Sequence, residues 1–244
     1  MIDELKLLRG SPIYVDNIAV YPLTIGEITD LGLDKYNLYL NLININKDKF
    51  EIDDEEISNF DTICQFCLHN IDIGVEKKFK ELYFDALKTF LRNDINFVVD
   101  DDCTYFIVGD ISEHCIISNI NYEQIVEIIK HQNCLIKINE EDECNPADEK
   151  ARQLLERRKK VRELLAKAKN QNDDEPLTLA DLVSILIANG NGVTPFNVWD
   201  MNFYMFNNQF NRMRMLEEYD INIRSLLAGA KSEDINMKHW MSKI

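Results

Sequence analysis

An α+β chain, with an amino-terminal mixed part of short hairpins and helices and a carboxy-terminal all-helical part, follows from three observations. Apolar residues alternate in short runs only before residue 140, which is the period of a strand. Between and beyond those runs they recur at spacings of three and four, the period of a helix face. The composition shifts sharply at Asn139–Asn145, an acidic stretch closed by the turn signal Asn145-Pro146. The predicted organisation is therefore an α+β domain over 1–140 and a helical domain over 146–244, entered by a long basic helix.

The elements follow in order. Ser11–Val15 and Ile18–Tyr21 flank Asp16-Asn17 and predict a hairpin, which Pro22 closes. Thr24 with Glu27 has capping-box spacing ahead of Ile28, Leu31, Tyr36, Tyr39, Leu40 and Ile43, a helix that Gly32 bends or divides. Asp53 with Glu56 predicts a second cap before Ile57, Phe60, Ile63, Cys64 and Cys67, and Val75–Arg92 predicts a third helix. Asn96–Val99, Tyr105–Val108 and Cys115–Ser118 read as three strands. Asn121 is a plausible N-cap for a helix over Tyr122–Lys130, and Leu135–Ile138 is a candidate strand.

In the second part, Lys150–Lys169 holds nine Lys or Arg against two Glu, a local charge of +7 that leaves −23 on the rest of a chain whose net charge is −16. Its apolar stripe is thin: Leu154, Val161 and Leu165, interrupted by Arg158. Leu177–Ala188 is a short apolar helix entered through Thr178. Thr194-Pro195 is a good N-cap and N1 pair for an aromatic helix carrying Phe196, Trp199, Phe203, Phe206, Phe210 and Met213. A last helix over Asn222–Ala230 ends near Gly229 and leaves a tail containing Trp240.

The totals set limits on function. At 244 residues and 45% apolar content the chain can bury a good core. The opening Met1-Ile-Asp-Glu-Leu-Lys mixes charges of both signs, and no apolar run approaches the roughly 20 residues of a membrane span, so a soluble intracellular protein without membrane partners is expected. The acidic total disfavours general binding to nucleic acid. Arg157, Arg158, Lys159, Lys160 and Arg162 form the one basic patch, which lacks interleaved aromatics for base stacking and suits docking on an acidic protein surface.

No catalytic constellation, cofactor motif or metal site is predicted. Cys64-Gln-Phe-Cys67 has metal-knuckle spacing, but no second pair completes a zinc site, and both cysteines fall inside a helical apolar pattern that predicts core packing. The clusters Asp53–Glu56 and Asp100–Asp102 do not match an EF-hand and read as turns and caps. A nucleophile, base and orienter cannot be named, so a non-enzymatic role is expected.

Asn121-Tyr-Glu-Gln-Ile-Val-Glu-Ile-Ile, Leu177–Ile187, Tyr204-Met-Phe-Asn-Asn-Gln-Phe-Asn-Arg212, Leu226-Leu-Ala-Gly-Ala230 and Lys238-His-Trp240 carry a resemblance. Together they resemble the tail assembly chaperones of bacteriophages from low-GC Gram-positive hosts, mainly over the second half of the chain. The resemblance implies a protein of the host cytoplasm, or of the virion, that binds a helical tape-measure partner or another tail protein while the tail is built. Phe196, Trp199, Phe203, Phe206 and Trp240 are then the candidate partner contacts, with Phe210, Met213, Leu226 and Leu227 expected in the core. Two alternatives remain open: a structural virion component that self-associates as a homo-oligomer, and a regulatory adaptor that uses the basic helix.

Overall fold

The computed structural model describes residues 2–47, 57–69, 78–100, 104–110, 115–135, 177–189, 192–229 and 239–242. The basic segment with Arg157, Arg158, Lys159, Lys160 and Arg162, the acidic cluster 53–56 and residues 136–138 lie outside them.

The chain opens with α1 (Glu4–Arg9), capped by Asp3 and closed by Gly10 in the left-handed region at φ 75. A tight hairpin follows, β1 (Ile13–Val15) against β2 (Ile18–Val20), where predicted. The capping box opens α2 (Ile25–Leu31): Glu27 N donates to Thr24 Oγ1 at 3.1 Å, and Thr24 N donates to Glu27 Oε2 at 2.8 Å. Gly32 divides this helix from α3 (Leu33–Ile43). Next come α4 (Asn59–His69) and α5 (Phe79–Leu91).

Three antiparallel strands follow in the order β3 (Ile95–Val99), β4 (Thr104–Val108) and β5 (Ile116–Ile117). Phe106 faces both Phe97 and Ile117 across the sheet. Then come α6 (Tyr122–Gln132), α7 (Leu179–Ala188) and α8 (Phe203–Leu227). The fold is α+β; among the described residues the strands lie in the amino-terminal part and the carboxy-terminal part holds helices.

The cap expected from Asp53 and Glu56 lies outside the described residues, and two other side chains mark the entries to α4 and α6. Ser58 begins α4, through reciprocal bonds with Asp61 (Asp61 N to Ser58 Oγ, 3.0 Å; Ser58 N to Asp61 Oδ2, 3.1 Å). Asn121 precedes α6 but makes no side-chain cap bond. Its amide donates instead to the Ile116 carbonyl at 2.9 Å and to Asp16 Oδ2 at 3.1 Å, tying the first hairpin to β5. A cross-chain role outcompeted the local one.

The main core gathers α2 to α6 and both hairpins, with an aromatic centre. Phe106 lies within 5.2–6.4 Å of the rings of Phe60, Phe84, Phe97 and Tyr83. Tyr83 and Tyr122 share a buried hydroxyl contact of 2.7 Å, which satisfies two polar groups that would otherwise be stranded. Cys64 and Cys67 face this core from α4, as their helical spacing predicts. Burial pushes the Cys64 thiol up to about 11 and the Cys67 thiol up to about 12.

Those shifts give a pH prediction. Below about pH 9 the thiols are protonated in both states and contribute no pH dependence. Above it the unfolded chain loses protons that the native chain retains, so stability falls through pH 9–12, by up to about 1.4 kcal/mol per pH unit for each thiol. Urea midpoints under reducing conditions should decline steeply above pH 9, and Cys64→Ala with Cys67→Ala should shallow that decline. An unchanged slope in the double variant contradicts the assignment.

A second, smaller core joins Val183 and Leu186 of α7, Val193, Val198 and Met201, and Phe206 and Met213 of α8. Ile25, from α2, belongs to this cluster, and Phe203 packs against both cores. The backbone seals the seam: Ile25 N donates to Met201 O at 2.8 Å and Phe203 N to Leu23 O at 3.0 Å. Asn202 Nδ2 donates to the Leu8 carbonyl at 3.2 Å.

Gly10 makes that last approach possible. A Cβ there would stand 2.8 Å from Asn202 Nδ2, on a backbone that already disfavours side chains. Gly10→Ala should lower the unfolding free energy by about 2 kcal/mol, combining left-handed strain with a displaced Asn202. The cost should shrink in an Asn202→Ala background, since the clashing amide is gone; equal costs in both backgrounds would show that the close approach contributes nothing.

Candidate functional site

The predicted aromatic helix is shorter at its start and longer at its end than its sequence suggests. It begins at Phe203, not at Thr194-Pro195, because Asn202 is extended (φ −69, ψ 156) and accepts from Met205 N at 2.9 Å, a complete N-cap. The pairing of Asn202 with Thr24 holds that extended geometry. At the other end, the separate helix expected over Asn222–Ala230 is continuous with it, so α8 runs for 25 residues, about 37 Å.

Residues 194–200 therefore form a turn leading into a short 3₁₀ helix, Val198–Asp200. Thr194 and Asn197 brace it reciprocally: Thr194 N donates to Asn197 Oδ1 at 2.7 Å and Asn197 N to Thr194 Oγ1 at 3.3 Å. Asn197 Nδ2 donates to the Gly192 carbonyl at 2.9 Å, closing the loop behind the turn. Val198 anchors the turn in the smaller core. The Trp199 indole N–H donates to the Pro195 carbonyl at 2.8 Å, which fixes the ring against its own turn. Below it, a Cβ on Gly26 would lie 3.1 Å from the Trp199 carbonyl, so the bare α2 backbone is the platform on which the turn rests.

This frame separates the six aromatic-stripe residues. Phe196 is 89% exposed and Trp199 41% exposed, both on the braced turn. Phe203 and Phe206 point inward: Phe203 meets Tyr36 at 6.0 Å between ring centroids, and Phe206 is 2% exposed in the smaller core. Met213 is buried and Phe210 packs beside it, as expected. Leu227, expected in the core, is 83% exposed because α8 extends past the last helix that could cover it among the described residues.

Trp240 lies elsewhere, on the side of α8. Arg212 Nη1 donates to the Trp240 carbonyl at 2.9 Å and to the Ser242 carbonyl at 2.5 Å. His239 meets the Tyr219 ring edge-on at 5.0 Å and stacks on Trp240 at 6.0 Å. The aromatic candidates thus fall into two exposed groups, Phe196 with Trp199 and Trp240 on α8, and an inward-facing pair, half-buried Phe203 and buried Phe206.

Residues 167–244 match the family model of the YomV second domain. That family is phage-derived, so this part of the chain is similar to a phage protein family. The matched stretch includes α7, the aromatic turn, all of α8 and the seated residues 239–242. No curated protein and no solved structure matches the chain.

Of the other side chains with chemical potential, Cys64 and Cys67 are buried in α4, and no three His, Cys, Asp or Glu among the described residues gather as a metal site would require. No helix among the described residues is long and apolar enough to cross a membrane. Sequence reasoning missed Asn202 and Arg212. The signal for Asn202 was present, an Asn three residues before the amide it caps; Arg212 had no local signal, since its partners are backbone carbonyls 28 and 30 residues away.

Proposed function

We propose that this chain is a non-enzymatic phage tail assembly protein, a chaperone that holds a helical tape-measure segment in the host cytoplasm while the tail is built. The observation that carries this reading is Phe196: a nearly fully exposed phenylalanine on a turn held by reciprocal side-chain bonds. A large apolar ring on a flexible loop can fold back; one on a braced turn stays in water until a partner covers it. Its rigidity also reduces the ordering cost that binding would otherwise incur. Trp199 on the same turn adds amphipathic contact area of the kind that dominates binding hot spots.

The phage-derived family match and the resemblance to tail chaperones support the same reading from the sequence side. The chain's charge of −16 suits a carrier that must keep an apolar partner in solution. Co-expression with candidate tape-measure segments tests it: soluble yield of a segment should rise markedly when the chain is present. Absence of rescue, with the chain itself folded, contradicts the proposal. Oligomers that grow with concentration in the absence of any partner would favour self-association instead.

A further inference from the structure

The exposed side of α8 is covered at one end by the chain itself. Arg212, Leu216, Tyr219 and Ile223 follow at spacings of four, three and four, so they line one face of the helix. Leu226 and Leu227 continue that face. Of these residues, Arg212 and Tyr219 hold the segment 239–242, whereas Leu216 and Leu227 remain exposed.

The hold is specific and slight. One guanidinium grips two carbonyls of a single turn, whose own bond runs from Ser242 N to His239 O at 2.9 Å. Carbonyls presented in that way imitate the orphan carbonyls at a helix end, which a fork of guanidinium donors matches well. Trp240 stays 39% exposed and Met241 65% exposed, so much of the segment's apolar surface still faces water. Between separate molecules such a contact would be weak; within one chain it benefits from a high effective concentration.

We infer that residues 239–242 are a detachable strap on the α8 face, and that an amphipathic partner helix displaces them to occupy Arg212, Leu216, Tyr219 and Ile223. This deepens the proposed function and rests on it for the identity of the natural partner. The strap shields part of an apolar stripe while the chain is unloaded, and Arg212 passes from the strap's carbonyls to those at the carboxy-terminal end of the incoming helix.

The test uses the full chain labelled with 5-fluorotryptophan, whose two tryptophans are assigned by Trp240→Phe. The probe is a synthetic leucine-faced amphipathic helix of about three heptads. The Trp240 fluorine resonance should move to a solvent-exposed position as the probe binds. In Arg212→Ala it should start at that position before any probe is added. A chain ending at Lys238, which keeps Arg212 for the incoming helix, should bind the probe roughly tenfold more tightly, since no strap competes. Leu216→Asp should abolish binding.

A Trp240 resonance that stays fixed at saturating probe overturns the strap, as does unchanged affinity in the chain ending at Lys238. A synthetic helix that displaces the strap where no tape-measure segment binds would uphold the strap and contradict only the chaperone reading.

Discussion

Phe196→Asp is expected to weaken binding of a tape-measure segment by about 100-fold, while the unfolding midpoint of the free chain stays within experimental scatter of wild type. Burying a phenylalanine side chain contributes about 1.5–3 kcal/mol, and each 1.4 kcal/mol is tenfold in affinity. Asp adds the cost of desolvating a carboxylate, placing the loss at the upper end of that range. Stability should not move, because the ring is 89% exposed in the free chain and the braces of the turn use the Thr194 and Asn197 side chains. Titration calorimetry with the purified segment and urea unfolding of the free variant measure the two quantities separately. A variant that binds normally removes the turn from the interface; one that unfolds shows that Phe196 packs in a way its exposure does not reveal.

Phe106→Ala should have the largest effect on stability, a loss of about 3–5 kcal/mol, of the order that leaves a marginal domain largely unfolded. Phe106 is fully buried on the central strand of its sheet, and four aromatic rings converge on it. Those neighbours sit on α4, α5 and β3, so the void cannot close by moving one side chain; three elements would have to shift together. Phe106→Leu should recover more than half of the loss by restoring volume. Thermal unfolding with both variants checks this, and a loss under 1 kcal/mol for Phe106→Ala would mean that the aromatic cluster repacks freely.

Much of the fold was legible because its signals are local. The two hairpins, the Thr24 capping box, the helix entry at Thr178 and the division at Gly32 each depend on residues a few positions apart, and each formed where expected. Two of the differences come from a distant partner that outweighs a local preference. Asn121 is the N-cap of α6 as expected, but its side-chain amide reaches Asp16 and Ile116 instead of the first turn, and Asn202 started α8 eight residues after Thr194 because Thr24 pairs with it from across the molecule.

The candidate site was legible in composition but not in geometry. A six-residue stripe at helical spacing singled out these side chains, yet a helix wheel cannot represent a turn followed by a restart. Phe196 and Trp199 therefore face water while Phe203 and Phe206, in the same nominal stripe, face the core. Trp240 stood out as an apolar residue near a chain end, but its seat on Arg212 and Tyr219 required the fold.

Amide hydrogen exchange of the full chain with and without a bound tape-measure segment tests the central claim most directly. The account predicts new protection over residues 194–206 and along 212–227 of α8, with residues 239–242 exchanging faster as the strap lifts. Protection confined to the β3–β5 sheet, or absent from the aromatic turn with the segment bound, would contradict it.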